Sequence, residues 1–355
     1  MAKKVLPYLI SFVAIFMVFP FVSLPASGQE VTFAINSKAL YMVDLNTRKV
    51  VYQKNAKRQL APASCTKIMT YIVAAEAITD LENTEITVGS NISSLLQGTD
   101  SSLAGIRQGE QFTALQLLHC MMIPSGNDAA LVLAEYIGQG DVEKFVRKMN
   151  EKAEELGCYN TNFTNPHGLH DENHYTSVQD LYKMTDYAMK LPYFMEIVTK
   201  AEYTLPPTNL YTGERTVRTT NKMMDKNEPV YYEPYIQGVK TGFHDDAGYC
   251  LVTTAQKNGQ RYMVIALGAP IGQVHGEMLD TKNLYDWAFR GFAQSSPVLA
   301  QAVYPQTQQE QIWDKVVTAL TTPWFVTIGG MVVVITVLLL SDSARKYRVK
   351  RKQEK

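Results

Sequence analysis

Three short motifs in this 355-residue chain combine residue types capable of nucleophilic chemistry. At Pro62-Ala63-Ser64-Cys65-Thr66-Lys67 a lysine follows a serine by three positions, ahead of an apolar run. On a helix that spacing puts both side chains on one face, about 5–6 Å apart at Cβ. A serine hydroxyl is a weak nucleophile until a base takes its proton, and a neutral lysine at that distance is such a base. Alone the pattern says little: Ser343-Ala344-Arg345-Lys346 repeats it in a basic tail, and a serine opening a helix is most often a cap. At Pro124-Ser125-Gly126-Asn127 a hydroxyl and an amide project from a tight break between two helical stretches, where capping is again the ordinary use. At Lys240-Thr241-Gly242 a lysine and a threonine precede a glycine inside a β pattern. Glycine there weakens a strand and often marks close approach of a ligand, a bulge or an edge residue being the plainer reading.

The elements that must position these residues follow from pattern and punctuation. Residues 31–36 and 39–45 read as strands, with a return strand over 49–54 after the turn at Asn46-Thr47. From 61 to 191 the chain turns helical. Met69, Ile72, Val73 and Ala77 share one helical face, and Thr113 with Gln116 forms a capping box opening 114–122. Helices over 127–137, 141–156 (stopped by Gly157) and 178–191 (capped by Ser177) follow. β pattern returns over 238–242, 249–257 and 261–268, the last two joined by Asn258-Gly259, a dipeptide favouring a type I′ hairpin turn. A helix over 277–292 closes the body. Strands at both ends and helices between them predict an α/β protein of the α+β type. One antiparallel sheet is flanked by helices and carries an inserted helical subdomain, with the site at the seam.

Charge and the two ends bound the compartment. The chain holds 34 basic and 34 acidic residues, but residues 1–28 hold only Lys3 and Lys4, and 341–355 hold seven Lys/Arg. The rest has 25 basic against 32 acidic side chains, a net of −7, which excludes a nucleic-acid binder. Residues 1–28 have the charged start, apolar middle and small-residue finish of a signal peptide. Residues 324–340 are uncharged and just long enough to cross a bilayer of ~30 Å, and the basic run after them suits the cytoplasmic side. The sequence thus predicts a signal peptide (1–28), a catalytic domain (29–294), a stalk (295–323), a transmembrane helix (324–340) and a cytoplasmic tail (341–355). Cys65, Cys120, Cys158 and Cys250 are compatible with two disulfides or with unpaired burial. His167, His170, Asp171 and His174 are the one grouping with ligand chemistry, but a solvated turn is the commoner use and no His-Glu-x-x-His motif is present. No metal and no cofactor are expected.

Together the three motifs carry more than each alone. Ser-x-x-Lys, Ser-x-Asn and Lys-Thr-Gly occur in this order, 61 and 115 residues apart. The chain resembles the penicillin-recognising acyl-serine hydrolases, which share a β-lactamase/transpeptidase-like fold. More narrowly it resembles the low-molecular-mass serine D-Ala-D-Ala carboxypeptidases, over about residues 34–292. Residues 165–169 (Asn-Pro-His-Gly-Leu), 174–177 (His-Tyr-Thr-Ser) and 238–249 add to the likeness.

The resemblance implies hydrolysis of the terminal D-Ala-D-Ala bond of peptidoglycan stem pentapeptides through an acyl-enzyme on Ser64. Lys67 would be the general base and Ser125 the relay of a proton to the leaving amine. Asn127 would hold the substrate backbone and brace Lys67. Lys240 and Thr241, before Gly242, would meet the terminal carboxylate, and the N–H groups of Ser64 and Phe243 would form the oxyanion hole. β-Lactam antibiotics would be covalent inhibitors, and the location would be the bacterial cell membrane, with a C-terminal anchor and the body outside the cytoplasm. The chain also departs from the pattern. Many relatives carry a β-rich second domain, and some place an arginine near His275-Gly276-Glu277 to greet the carboxylate, where Glu277 now stands. Two other readings are a β-lactamase on the same scaffold and a non-catalytic β-lactam or cell-wall sensor. Against the first, no Glu-x-x-x-Asn stretch lies between Asn127 and Lys240; against the second, only 15 residues follow Leu340.

Overall fold

The computed structural model describes residues 31–90, 92–99, 101–291 and 298–299. The expected signal peptide, membrane helix and tail lie outside the described residues, as does the stalk apart from Val298 and Leu299. Among the described residues no helix is long and apolar enough to cross a membrane.

The body is a mixed α/β structure organised on one sheet. Its strands are β1 (Ala39–Asp44), β2 (Val50–Lys54), β7 (Ile236–His244), β8 (Gly248–Lys257), β9 (Gln260–Ala269) and β10 (Val298–Leu299), ordered β10-β2-β1-β9-β8-β7. All neighbours are antiparallel except β10, which runs parallel to β2. Asn258 and Gly259 both have positive φ, as a type I′ turn requires. The sheet is buried on both faces, so β1 is continuously apolar. Tyr41 and Val43 join the large core with the helices, while Leu40 and Met42 pack with Leu284, Tyr285 and Ala288 of α8 (Gly276–Phe289).

The insert holds α1 (Lys67–Ala77), α2 (Ile92–Leu95), α3 (Ala114–Met122), α4 (Asn127–Gly138), α5 (Val142–Glu155), α6 (Val178–Ala188) and α7 (Phe194–Val198). The capping box of Thr113 with Gln116 and the caps Asp141 and Ser177 are all present. α1 differs from expectation. It is buried on every side from Lys67 to Ala74 while Ala77 is exposed, so it is a central helix and not an amphipathic one. Two ribbons accompany the helices: β3 (Glu85–Thr87) with β4 (Gln111–Thr113) lies between α1 and α3, and β5 (Glu202–Leu205) with β6 (Arg215–Arg218) follows α7. Residues 31–36 form no strand. Val31, Phe33 and Ile35 pack on the α8 side of the sheet, but the backbone N–H groups of Asn36 and Ser37 go to the Asp280 carboxylate on α8, at 2.9 and 2.7 Å. All four cysteines are free and buried.

Candidate active site

Ser64 and Lys67 are brought together by a tighter turn than an α-helix. Residues Ala63–Thr66 form a 3₁₀ turn that runs into α1. With three residues per turn, positions i and i+3 eclipse, so the lysine lies directly over the serine. Lys67 Nζ is 2.8 Å from Ser64 Oγ. It also donates to Asn127 Oδ1 at 2.6 Å and to the carbonyl oxygen of His167 at 2.9 Å, with Ser125 Oγ at 3.5 Å. Lys67 is fully buried; burial, then the charge of Lys240, hold its ammonium well below the usual lysine range.

The Ser125 loop joins α3 to α4, and its backbone explains its sequence. Ser125 sits in the left-handed region at φ 66°, a conformation that costs a non-glycine residue and tends to be kept at functional sites. A Cβ on Gly126 would come within 2.7 Å of the Cys120 carbonyl oxygen and of Asp128 Oδ1, so only glycine fits. The capping reading fails here: the N-cap of α4 is Gly126, with no side-chain cap bond. Asn127 instead spans the site, its Nδ2 donating to Ser101 Oγ at 2.9 Å. The Asp128 carboxylate accepts the N–H groups of Ala104, Gly105 and Ile106 at 3.0–3.1 Å and so ties down the segment carrying Ser101.

Opposite stands β7, the edge strand, with one side unpaired by the sheet. A Cβ on Gly242 would lie 2.7 Å from the Pro62 carbonyl oxygen and 3.0 Å from Ser64 N, so glycine permits β7 to touch the 3₁₀ turn. Lys240 is buried, its Nζ donating to the Thr241 carbonyl oxygen at 2.9 Å, and burial pushes its pKa down to about 8. The Thr241 hydroxyl bonds that of Thr220. A cavity of about 590 Å³ opens between these walls, lined by Ser64, Ser125, Thr241, Gly242 and Phe243 among others. Lys67, Asn127 and Lys240 are buried behind that surface.

The histidine-rich loop is a buttress as well as a turn. His174 Nδ1 accepts the Thr164 N–H at 3.1 Å, so its Nε2–H donates to Thr66 Oγ1 at 2.7 Å, whose own proton goes to the Ala63 carbonyl oxygen at 2.8 Å. Burial lowers the pKa of His174 to about 4 and that of His167 to about 3, which keeps both rings neutral. Gly168, at φ 89°, lies so close to Ala63 that a Cβ would reach 1.9 Å from its carbonyl oxygen. The grouping of His167, His170, Asp171 and His174 is therefore divided: His167 and His174 are buried inward, while His170 faces the cavity rim.

Sequence reasoning did not single out Ser101, Asp128 or Thr220, which act through contacts with segments distant in the chain. Glu277 lines the same cavity and is 1% exposed. His275 Nδ1 lies 3.2 Å from its Oε1, and among the described residues Oε2 has no hydrogen-bond partner.

Known proteins resemble this chain in sequence and fold. The D-alanyl-D-alanine carboxypeptidase DacF of Bacillus subtilis is 35% identical over 258 residues, covering 72% of this chain and 63% of that relative. The D-alanyl-D-alanine carboxypeptidase DacC of Escherichia coli is 29% identical over 294 residues, with 79% and 68% covered. The crystal structure of the Streptomyces K15 DD-transpeptidase superposes with a TM-score of 0.66 at 28% identity, covering 73% of this chain and 98% of that one. The chain thus spans somewhat under two thirds of the length of the Bacillus relative. The D-alanyl-D-alanine carboxypeptidase family of peptidase S11 matches residues 26–271, and this chain belongs to that family.

Proposed function

We propose that the protein is a serine carboxypeptidase that removes the terminal D-Ala from peptidoglycan stem pentapeptides through an acyl-enzyme on Ser64. One observation carries the reading: the set of partners around Lys67 Nζ. Two of its short contacts, Asn127 Oδ1 and the His167 carbonyl oxygen, can only accept. A neutral amine spends its two N–H bonds on them and turns its lone pair to the remaining short contact, Ser64 Oγ. The serine then donates, and the lysine is a base aimed at one proton. Burial together with the nearby Lys240 favours the neutral amine this requires.

In the proposed cycle Ser64 Oγ attacks the carbonyl of the penultimate D-Ala while Lys67 takes its proton. The N–H groups of Ser64 and Phe243 receive the developing oxyanion. Collapse expels the terminal D-Ala, whose amine receives the proton from Lys67 through Ser125, 3.5 Å away. Water then cleaves the ester with the same base, giving the shortened peptide and free Ser64. Asn127 braces Lys67 and holds the substrate backbone, while the Thr241 hydroxyl, beside Gly242, meets the terminal carboxylate with the charge of buried Lys240 behind it. A signal peptide over 1–28 and a single-pass anchor over 324–340 would place the body outside the cytoplasm at the cell membrane. The basic run after the anchor supports that orientation.

The test is incubation of the purified protein with an acyl-D-Ala-D-Ala peptide and, separately, with penicillin. The expected results are free D-Ala and a long-lived penicilloyl adduct on Ser64, both lost in Ser64→Ala. Rapid catalytic consumption of penicillin with no trapped adduct and no D-Ala release would instead establish the β-lactamase reading.

A further inference from the structure

At the mouth of the cavity the loop after Gly168 meets the turn between β7 and β8. His170 comes from the loop; His244 and Asp246 come from the turn, and all three line the cavity. His170 Nδ1 lies 3.4 Å and His244 Nδ1 3.9 Å from the same oxygen, Asp246 Oδ2. The two rings meet edge to face with centroids 5.5 Å apart. One ligand atom from each residue falls within 4.8 Å of the other two.

We propose that His170, His244 and Asp246 form a binding site for a divalent ion of the zinc class, which ties the loop to the turn across the entrance to Ser64. The dimensions suit it. Bonds of about 2.0–2.1 Å in a tetrahedron set ligand atoms roughly 3.4 Å apart, so atoms that now lie within 4.8 Å of one another need to draw in by at most about 1.4 Å. His170 and Asp246 have 47% and 61% of their side chains exposed and are free to make that movement, whereas His244, at 16%, is the fixed ligand. The donor set also suits it: two imidazoles and one carboxylate favour zinc-like ions over magnesium, which demands near-octahedral oxygen ligation. Capture exchanges one weak contact, the 3.2 Å bond that His244 Nδ1 accepts from the Ala247 N–H, or turns the ring to present Nε2.

Three protein ligands leave the fourth position to water or to a group entering the cavity. The bridged segments are also the ones that hold the catalytic wall. The His167 carbonyl oxygen bonds Lys67, Gly168 packs against Ala63, and His244 ends the strand that carries Thr241 and Gly242. An ion joining them narrows the entrance and slows acylation. Binding does not depend on the peptidase reading; the effect on acylation does.

The experiment uses the full chain, without a histidine tag and stripped with EDTA. Calorimetric titration with zinc chloride is expected to show one equivalent bound, with affinity reduced at least tenfold in His170→Ala and in Asp246→Asn, and no saturable binding of magnesium chloride. In parallel, penicillin acylation of Ser64 followed by intact mass is expected to slow several-fold at saturating zinc and to recover with EDTA. Both variants should lose the zinc effect, the acylation rate of each at saturating zinc matching its own zinc-free rate. Absence of saturable zinc binding, or binding undiminished in both variants, overturns the site. Zinc binding with an unchanged acylation rate overturns the gating role, and a zinc-free wild type that never acylates points instead to failure of the peptidase reading.

Discussion

The floor and the rim of the cavity are built by opposite means. On the floor the groups behind Ser64 are buried and engaged: Lys67 with three short partners, Asn127 between Lys67 and Ser101, and His174 in a relay that ends on the Ala63 carbonyl oxygen. At the rim, His170 and Asp246 are exposed, and Glu277, though buried, leaves one carboxylate oxygen unpartnered among the described residues. The contrast follows from what each must do. Proton transfer between fixed atoms loses rate steeply with small displacements, so the floor is over-determined. Recognition requires groups still free to pair with what enters, so the rim keeps them in reserve.

The largest effect expected on this comparison comes from the floor. Lys67→Ala should lower the rate of Ser64 acylation by ~100- to 10,000-fold, the usual worth of a positioned general base. Lys67→Arg should fail as well, because a guanidinium does not give up its proton. Stopped-flow acylation with a chromogenic penicillin, alongside thermal unfolding to verify the fold, makes the measurement. Near-normal acylation by folded Lys67→Ala would remove Lys67 from the role of base.

The same contrast marks what was legible in the sequence. Five strands of the main sheet, the hairpin turn and most helices are visible because they are written locally, in alternation, Asn258-Gly259 and the caps Thr113 and Ser177. The three motifs are visible because residue type and order suffice to name them. The 3₁₀ turn at Ala63–Thr66 is not, since Ser-x-x-Lys suits an α-helix equally well; what holds it is His174, more than a hundred residues away. Residues 31–36 have the alternation of a strand, yet their partner is Asp280 on the closing helix and not another strand. Ribbon β5–β6 escaped because its four-residue strands are too short for a period to show. The metal grouping read from the 167–174 loop joined residues by sequence proximity, whereas the fold turns His167 and His174 inward and sets His170 beside His244 and Asp246.

A second prediction concerns the two lysines together. Lys240 has its pKa lowered to about 8 by burial, so its positive charge is present below that pH and lost above it. Lys67 must be neutral to act, and its pKa is held well below the ordinary range. The pH profile of kcat/KM for a carboxylate-terminated peptide should therefore rise as Lys67 loses its proton, level off, and fall above about pH 8, approaching tenfold per unit. In Lys240→Arg the cation persists, and the upper limb should move to higher pH. An upper limb left in place by that substitution would assign it to another group.

The smallest effect belongs to the rim and asks whether its reserve is spent on the substrate. Glu277 lines the cavity with Thr241, and its carboxylate is half engaged, by His275 Nδ1 at 3.2 Å. A peptide bringing its own carboxylate to Thr241 meets a second negative charge in a partly desolvated site, where like charges repel more strongly than in water. Glu277→Gln preserves the shape and the contact with His275 while removing the charge. KM for an acyl-D-Ala-D-Ala peptide should fall by a factor of roughly two to ten, with kcat little changed, because the interaction is with the bound carboxylate and not with the reacting carbonyl. The same peptide ending in a carboxamide lacks the charge and should show little or no improvement in the variant. Steady-state kinetics on the two peptides with both proteins yield the ratio of ratios directly. Equal changes for carboxylate and carboxamide would mean that Glu277 does not face the leaving residue, and its free oxygen would then belong to the architecture of the α8 start and not to recognition.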